Sequence, residues 1–375
     1  MTESISTNYS IPSVMKAAQQ NGYGEVRNVL TLRNDVPVPY ELSSKQTLIR
    51  VHAGSINQID WKVLNGNFSS LVRLSFPHVP GKDVAGVIVN IGLGVKRFQI
   101  GDKVYGNLGM NDGSFAEYVR GDESLFSLKP NNITMEEAAA IPLACQTSYQ
   151  VLFKKASPPI GMESKILICG GSTATGLYAI QLAKAVGAHV TATCSQRNFS
   201  LMEKLGYDIT QTNIETNNNR NQLHIIDYNE KDFEHELKGQ NYDVVYDCIG
   251  GEQQWISAQQ VLKCGGQFIT IVGDDRKSII SLKSLVSVGS SLINRKFWSI
   301  FGSSHHNYIF HFVNQNFQEL DDIRTKYIET GKVKPLIDTI YDWQKDDVEA
   351  LYLLYEKSKS EKAQGKLILK IAHEE

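Results

Sequence analysis

The residues with the clearest chemistry lie between Lys165 and Arg197, KILICGGSTATGLYAIQLAKAVGAHVTATCSQR. Gly170, Ser172, Thr173, Ala174, Thr175 and Gly176 form a turn of small residues between an apolar run and a helical pattern. Small side chains let the backbone approach a pyrophosphate, and a helix amino end adds N–H donors and a positive dipole. Against the G-x-x-G-G-x-G form, Thr173 and Ala174 stand where glycines are usual, so the reading leans on strand-turn-helix context. An NAD site places Asp or Glu about 20 residues further on, to bind the ribose 2′-hydroxyl. Here no acid occurs between Glu163 and Glu203, and the second strand ends in Thr193, Cys194, Ser195, Gln196 and Arg197. A hydroxyl at Ser195 and the forked guanidinium of Arg197 suit a 2′-phosphate. These residues predict NADPH as the cofactor.

The elements that must hold this turn follow from periodicity. Ile166 to Cys169 reads as a buried strand, Leu177 to Val186 as a helix and His189 to Cys194 as a second strand. Further on, NYDVVYDCIGG and GGQFITIVG are apolar strands ending in glycine, and the alternation implies a parallel doubly wound sheet. Before this region, short strands and turns (Thr47 to Val51, Asp83 to Ile91, the Gly101–Tyr105 turn) suggest a small β-barrel. Thr134 with Glu137 three residues on is a capping box for the helix that begins there. Asp321 to Thr330 reads as a helix and the final GKLILKI as a strand that returns to the barrel. The domains expected are therefore 12–141 with 300–375, a barrel, and 142–299, a Rossmann domain. The Asn-rich stretch 210–221 reads as a surface insertion without a chemical role.

Composition removes several alternatives. At 375 residues the chain holds two domains, and 38 basic against 40 acidic residues give no basic face for nucleic acid. No apolar run reaches the ~20 residues of a membrane helix. The five cysteines lack CxxC spacing, which points to reduced thiols rather than zinc knuckles. No GxSxG elbow is present, so nothing marks a hydrolase. The opening residues carry Glu3 and no basic residue before Lys16, which favours the cytoplasm over a mitochondrial address.

Four segments, RVHAGSINQIDWK, PGKDVAGVIVNIGLGVKRFQIGDKVYG, GSFAEYV and AAAIPLACQTSYQVL, resemble the medium-chain dehydrogenase/reductase superfamily. GAHVTATCSQR, YDVVYDCIGG and TGKVKPLIDTIY with GKLILKI resemble its zinc-free quinone oxidoreductase branch, and look closest to the reticulon-interacting mitochondrial proteins. The resemblance spans about Met15 to Ile371. It implies an α/β chain with a GroES-like barrel interrupted by a Rossmann domain, and it raises mitochondria as the alternative compartment. It also implies a protein partner as a further role.

The resemblance also locates the zinc ligands of the alcohol dehydrogenases at Asn57, Lys82 and Leu143. A catalytic zinc needs three N, S or O donors, and a protonated Lys and a Leu supply none. The hydroxyl of the proton relay is replaced by Ile59, and no cysteine precedes Cys145 to build a structural zinc loop. Without a Lewis acid, hydride must add to a carbon made electrophilic by conjugation, in a quinone or an α,β-unsaturated carbonyl. Asn57 is then a donor to the acceptor oxygen or to a ribose hydroxyl, with Asp60 orienting its loop. Lys62 is a candidate for stabilising an oxyanion, and Thr147 for holding the nicotinamide or its ribose. Tyr228 and Lys366 match positions near the cofactor in relatives. His305 and His306, in the aromatic stretch FWSIFGSSHHNYIFHF, are expected to wall a pocket. The substitutions at Thr173 and Ala174 leave a second reading, a low-turnover NADPH-binding scaffold or redox sensor. Ser284 to Phe301 is expected to pair across a homodimer.

Overall fold

The computed structural model describes residues 10–70, 73–109, 113–211, 221–273 and 305–373. The segment Ser284–Phe301, and all but the ends of the Asn-rich stretch, lie outside the described residues. The chain divides into two compact units. Residues 1–143, 315–329 and 335–375 form the first, and residues 144–314 and 330–334 the second.

In the first unit a sheet of seven strands is built around Gln46–Ile56. This long strand pairs antiparallel with Asp83–Ile91, Lys366–Lys370 and Tyr118–Asp122. Lys103–Asn107 and Phe126–Leu128 continue it on one side, and Ile337–Asp342 lies parallel to Lys366–Lys370 on the other. The register with Asp83–Ile91 shifts between Val51↔Gly86 and Ala53↔Ala85, leaving His52 as an extra residue. Gly86 sits at this bulge, where a Cβ would lie 2.2 Å from the Arg50 carbonyl oxygen. That is why glycine interrupts an otherwise apolar strand. Helix Val348–Lys359 buries Ala350, Leu351, Leu354 and Tyr355, the stripe of a surface helix, into a core with Phe115, Phe126 and Trp343. Thr134 and Glu137 close the expected capping box on helix Met135–Ala139.

The second unit is a parallel seven-stranded sheet. Its order is Asp208–Thr210, Gln222–Asp227, His189–Cys194, Lys165–Cys169, Tyr242–Asp247, Leu262–Thr270 and Asn307–Phe310. Lys165–Cys169 and its neighbours are near-continuous apolar runs because both faces of a parallel sheet are covered. The expected boundary at residue 300 moves. Asn307–Phe310 pairs parallel with Leu262–Thr270, and the chain joins the first unit only at Gln315. Within the described part of the aromatic run, Tyr308 lies in the strand Asn307–Phe310 and packs with Trp255 and Phe268 at ring separations of 5.3 Å.

Gly86→Ala should cost about 1–3 kcal/mol, because the added methyl meets fixed backbone at the bulge. Urea unfolding measures this. A variant as stable as the parent would show that the bulge does not require glycine.

Candidate functional site

In the second unit the strand Lys165–Cys169 delivers the chain into the small-residue turn, and helix Ala174–Ala185 leaves it. Gly170 has φ +83°, open to glycine at little cost. A Cβ on Gly176 would stand 2.2 Å from the Gly170 carbonyl oxygen, and one on Gly171 would stand 2.8 Å from Ala192 Cβ. Thr173, in the place of a usual glycine, is the helix N-cap. Its Oγ1 accepts from Gly176 N at 3.0 Å and donates to Gly170 O at 2.8 Å. The N–H groups of Ala174 and Thr175 have no intrahelical acceptor. This turn fits a dinucleotide pyrophosphate, with one N–H of the helix already committed to Thr173.

The ends of neighbouring strands complete the cradle. Gly170 N donates to Thr193 Oγ1 at 3.1 Å. Asn198 Nδ2 donates to Ser172 Oγ at 2.9 Å and to Ser195 Oγ at 3.3 Å, tying the turn to the end of His189–Cys194. Ser195 is buried, whereas Arg197 and Tyr228 are exposed. Sequence reasoning missed Asp227. It ends the adjacent strand opposite Cys194, and its carboxylate accepts from Gln196 N at 3.1 Å and from Asn229 N and Nδ2 at 2.9 and 3.0 Å. An acid therefore stands beside Ser195 after all, but its lone pairs are turned to these N–H groups. Asp247 organises the next loop in the same way, accepting from Ile249 N, Gly250 N and Thr270 Oγ1.

Ser148, next to the buried Thr147 in helix Pro142–Gln150, donates to the Thr175 carbonyl at 2.8 Å. Burial pushes the nearby Cys248 thiol up to about 12, so it is not a nucleophile at neutral pH. His306 is buried with Nδ1 unpartnered, and burial lowers its pKa.

The first unit gathers a buried polar cluster at the start of helix Gln58–Leu64. Asp83, fully buried at the head of its strand, accepts five N–H or O–H donors. Asn57 Nδ2, Ser55 Oγ and Lys366 Nζ meet Oδ2 at 2.9, 3.0 and 3.3 Å. Asn107 Nδ2 and Leu143 N meet Oδ1 at 3.0 and 2.9 Å. Lys366 Nζ also donates to Asn57 Oδ1 at 2.6 Å and to Ile56 O at 3.2 Å. Three acceptors match the three protons of an ammonium. Lys366 thus meets three acceptors inside the first unit. Asp60 Oδ2 accepts from Asn57 N at 2.7 Å, fixing the loop as anticipated. Lys62, half-buried, holds Nζ 5.7 Å from the Trp61 ring centroid. Asp83 was legible only as a charge opening an apolar strand.

The donor set does not fit zinc. Lys82 Nζ is buried and donates to the Gly109 carbonyl at 2.8 Å, Asn57 is engaged by Lys366 and Asp83, and the Leu143 side chain has no lone pair. Burial lowers the pKa of both Lys82 and Lys366, against the raising influence of Asp60 and Asp83.

Comparison with known proteins gives consistent matches. A sequence family described as Alcohol dehydrogenase GroES-like domain matches residues 43–131, and one described as Zinc-binding dehydrogenase matches residues 223–369. The 2-methylene-furan-3-one reductase of Solanum lycopersicum is 34% identical over 373 residues, covering 97% of this chain and 81% of that protein. The chloroplastic NADPH-dependent alkenal/one oxidoreductase of Arabidopsis thaliana is 32% identical, covering 89% of this chain and 74% of that protein. The mitochondrial NAD(P)H oxidoreductase RTN4IP1 of Danio rerio is 28% identical, covering 97% and 93%. The solved quinone oxidoreductase of Coxiella burnetii superposes with a TM-score of 0.74 at 27% identity, over 96% of this chain and 100% of that one.

Burial pushes the Asp60 carboxyl up to about 6, against the lowering effects of Lys82 and the Asn57 N–H. A folded pKa above the unfolded one means that the folded state binds the extra proton. Stability from this group is therefore full below about pH 4 and is lost as pH rises towards about 6. Relative to Asp60→Asn, the parent should lose about 3 kcal/mol across that window in urea unfolding. Parallel stability curves would contradict the shift.

Proposed function

The chain belongs to the medium-chain dehydrogenase/reductase superfamily, and from that premise we propose that it reduces a quinone or an α,β-unsaturated carbonyl with NADPH, without zinc. The observation that carries the reading is the donor set. Where a metal would polarise the carbonyl, this chain holds the Asn57 amide between an ammonium and a carboxylate. Relatives named for enone, alkenal and quinone reduction support the substrate class.

The turn from Gly170 to Gly176 would hold the pyrophosphate, while Ser195 and Arg197 would hold the 2′-phosphate and Tyr228 would flank it. NADPH supplies the hydride. With an enone the hydride would add to the β-carbon, its electron pair would pass through the π system to the carbonyl oxygen, and solvent would supply the proton that ends on the α-carbon. Asn57 donates its free amide N–H to that oxygen as charge develops, Lys62 adds a positive charge, and Thr147 orients the nicotinamide. The commitment of Gly176 N to Thr173 is the observation that favours the low-turnover scaffold as a second reading, since it removes one N–H from the pyrophosphate. The mitochondrial name of the Danio rerio relative supports the mitochondrial alternative to the cytoplasmic expectation, while the Arabidopsis thaliana relative is named chloroplastic. A homodimer is the proposed assembly, on the apolar, β-prone pattern of Ser284 to Phe301.

NADPH should bind at least about tenfold tighter than NADH, a difference of about 1.4 kcal/mol, and Arg197→Ala should abolish most of that preference. Fluorescence titration measures both. Equal constants in the parent, or an unchanged preference in the variant, would remove Arg197 from the site. NADPH consumption with a panel of enones and quinones should exceed background and survive a chelator. No turnover on any of them would favour the scaffold.

A further inference from the structure

We propose that Lys366 is a positioning residue: its ammonium and the Asp83 carboxylate lock the Asn57 amide in one orientation, leaving a single aimed N–H for the substrate. The inference rests on the reading above, in which Asn57 faces the acceptor oxygen.

Asn57 Oδ1 lies 2.6 Å from Lys366 Nζ, and Asn57 Nδ2 lies 2.9 Å from Asp83 Oδ2. Flipping the amide by half a turn would set N–H against N–H at the lysine and oxygen against oxygen at the aspartate. Both contacts are buried, where no water can repair either mismatch. Lys366 itself cannot turn away, because its three protons meet Asn57 Oδ1, Asp83 Oδ2 and Ile56 O. Asp83 is held in turn by Ser55, Asn107 and Leu143 N. An asparagine amide has two N–H donors, and Asp83 takes one. The other is the donor that Asn57 can present. A cation on Oδ1 withdraws charge from the amide and makes that remaining N–H a better donor.

The first test uses the unaltered protein with its asparagine side chains labelled with nitrogen-15, the Asn57 pair being identified by its loss in Asn57→Ala. Adding NADPH and cyclohexanone, a saturated ketone that mimics the acceptor carbonyl, should shift one of the two Asn57 amide protons and leave the other in place. If both move, the amide is not locked and the proposal falls. If neither moves, Asn57 does not face the acceptor, which overturns both the proposal and the site reading on which it rests. The second test is a double-mutant cycle on kcat with an enone. Lys366→Gln should lower kcat at least about tenfold and leave the NADPH dissociation constant within about twofold. In the Asn57→Ala background the same change should cost less than about threefold, since its only route to the reaction is gone. Multiplying losses, or a weakened NADPH constant in both backgrounds, would instead make Lys366 a cofactor contact. Should Lys366→Gln fail to fold, the proton shifts of the unaltered protein decide the question.

Discussion

The buried pair of Asp83 and Lys366 is the constraint around which the first unit is arranged. Taking two charges out of water costs several kcal/mol each, and the cost is met only when every lone pair and proton has a partner. Five donors on Asp83 and three acceptors around Lys366 satisfy that condition. The pair lies on two strands and its partners come from two more, one helix start and the main chain at Leu143, so the pair fixes the relative placement of segments far apart in sequence. Removing one charge would strand the other, at about 3–5 kcal/mol. Asn57 is one of the groups this arrangement holds in place.

The second unit solves a related problem with neutral groups. A helix that must leave its first N–H groups open to an anion has to be positioned without filling that opening. Gly170 and Gly176 permit the close approach, while Thr173 caps the helix from its own first turn. Asn198 then bridges Ser172 and Ser195, linking the small-residue turn to the end of His189–Cys194. Asp227 and Asp247 each cap a loop at the carboxyl edge of the sheet, where ligands of doubly wound folds bind.

Much of this was legible in the residues. The strand, turn and helix at Lys165–Ala185 follow from apolar runs and small residues, and the capping box at Thr134 follows from spacing alone. The strand at Asn307–Phe310 was not legible, because an aromatic run carries no sign in the sequence that Tyr308 packs on Trp255. Nor was the partner of Lys366. Spacing within the sequence places it next to Gly365, but only antiparallel pairing of Leu367 with Ile56 sets it against Asn57. Asp227 shows the same limit, since an acid 30 residues from Arg197 becomes a neighbour of Ser195 through parallel pairing with Cys194. Charges that meet across strands carry no signature in either strand by itself.

The central claim is conjugate hydride addition assisted by amide and ammonium groups in place of a metal, and isotopic labelling tests it directly. A simple α,β-unsaturated ketone is incubated with NADPH deuterated at the transferable position, in the presence of a chelator, and the product is read by NMR. The account predicts a saturated ketone carrying one deuterium at the β-carbon. Deuterium on the carbonyl carbon of an allylic alcohol would mean direct carbonyl reduction, and would contradict it.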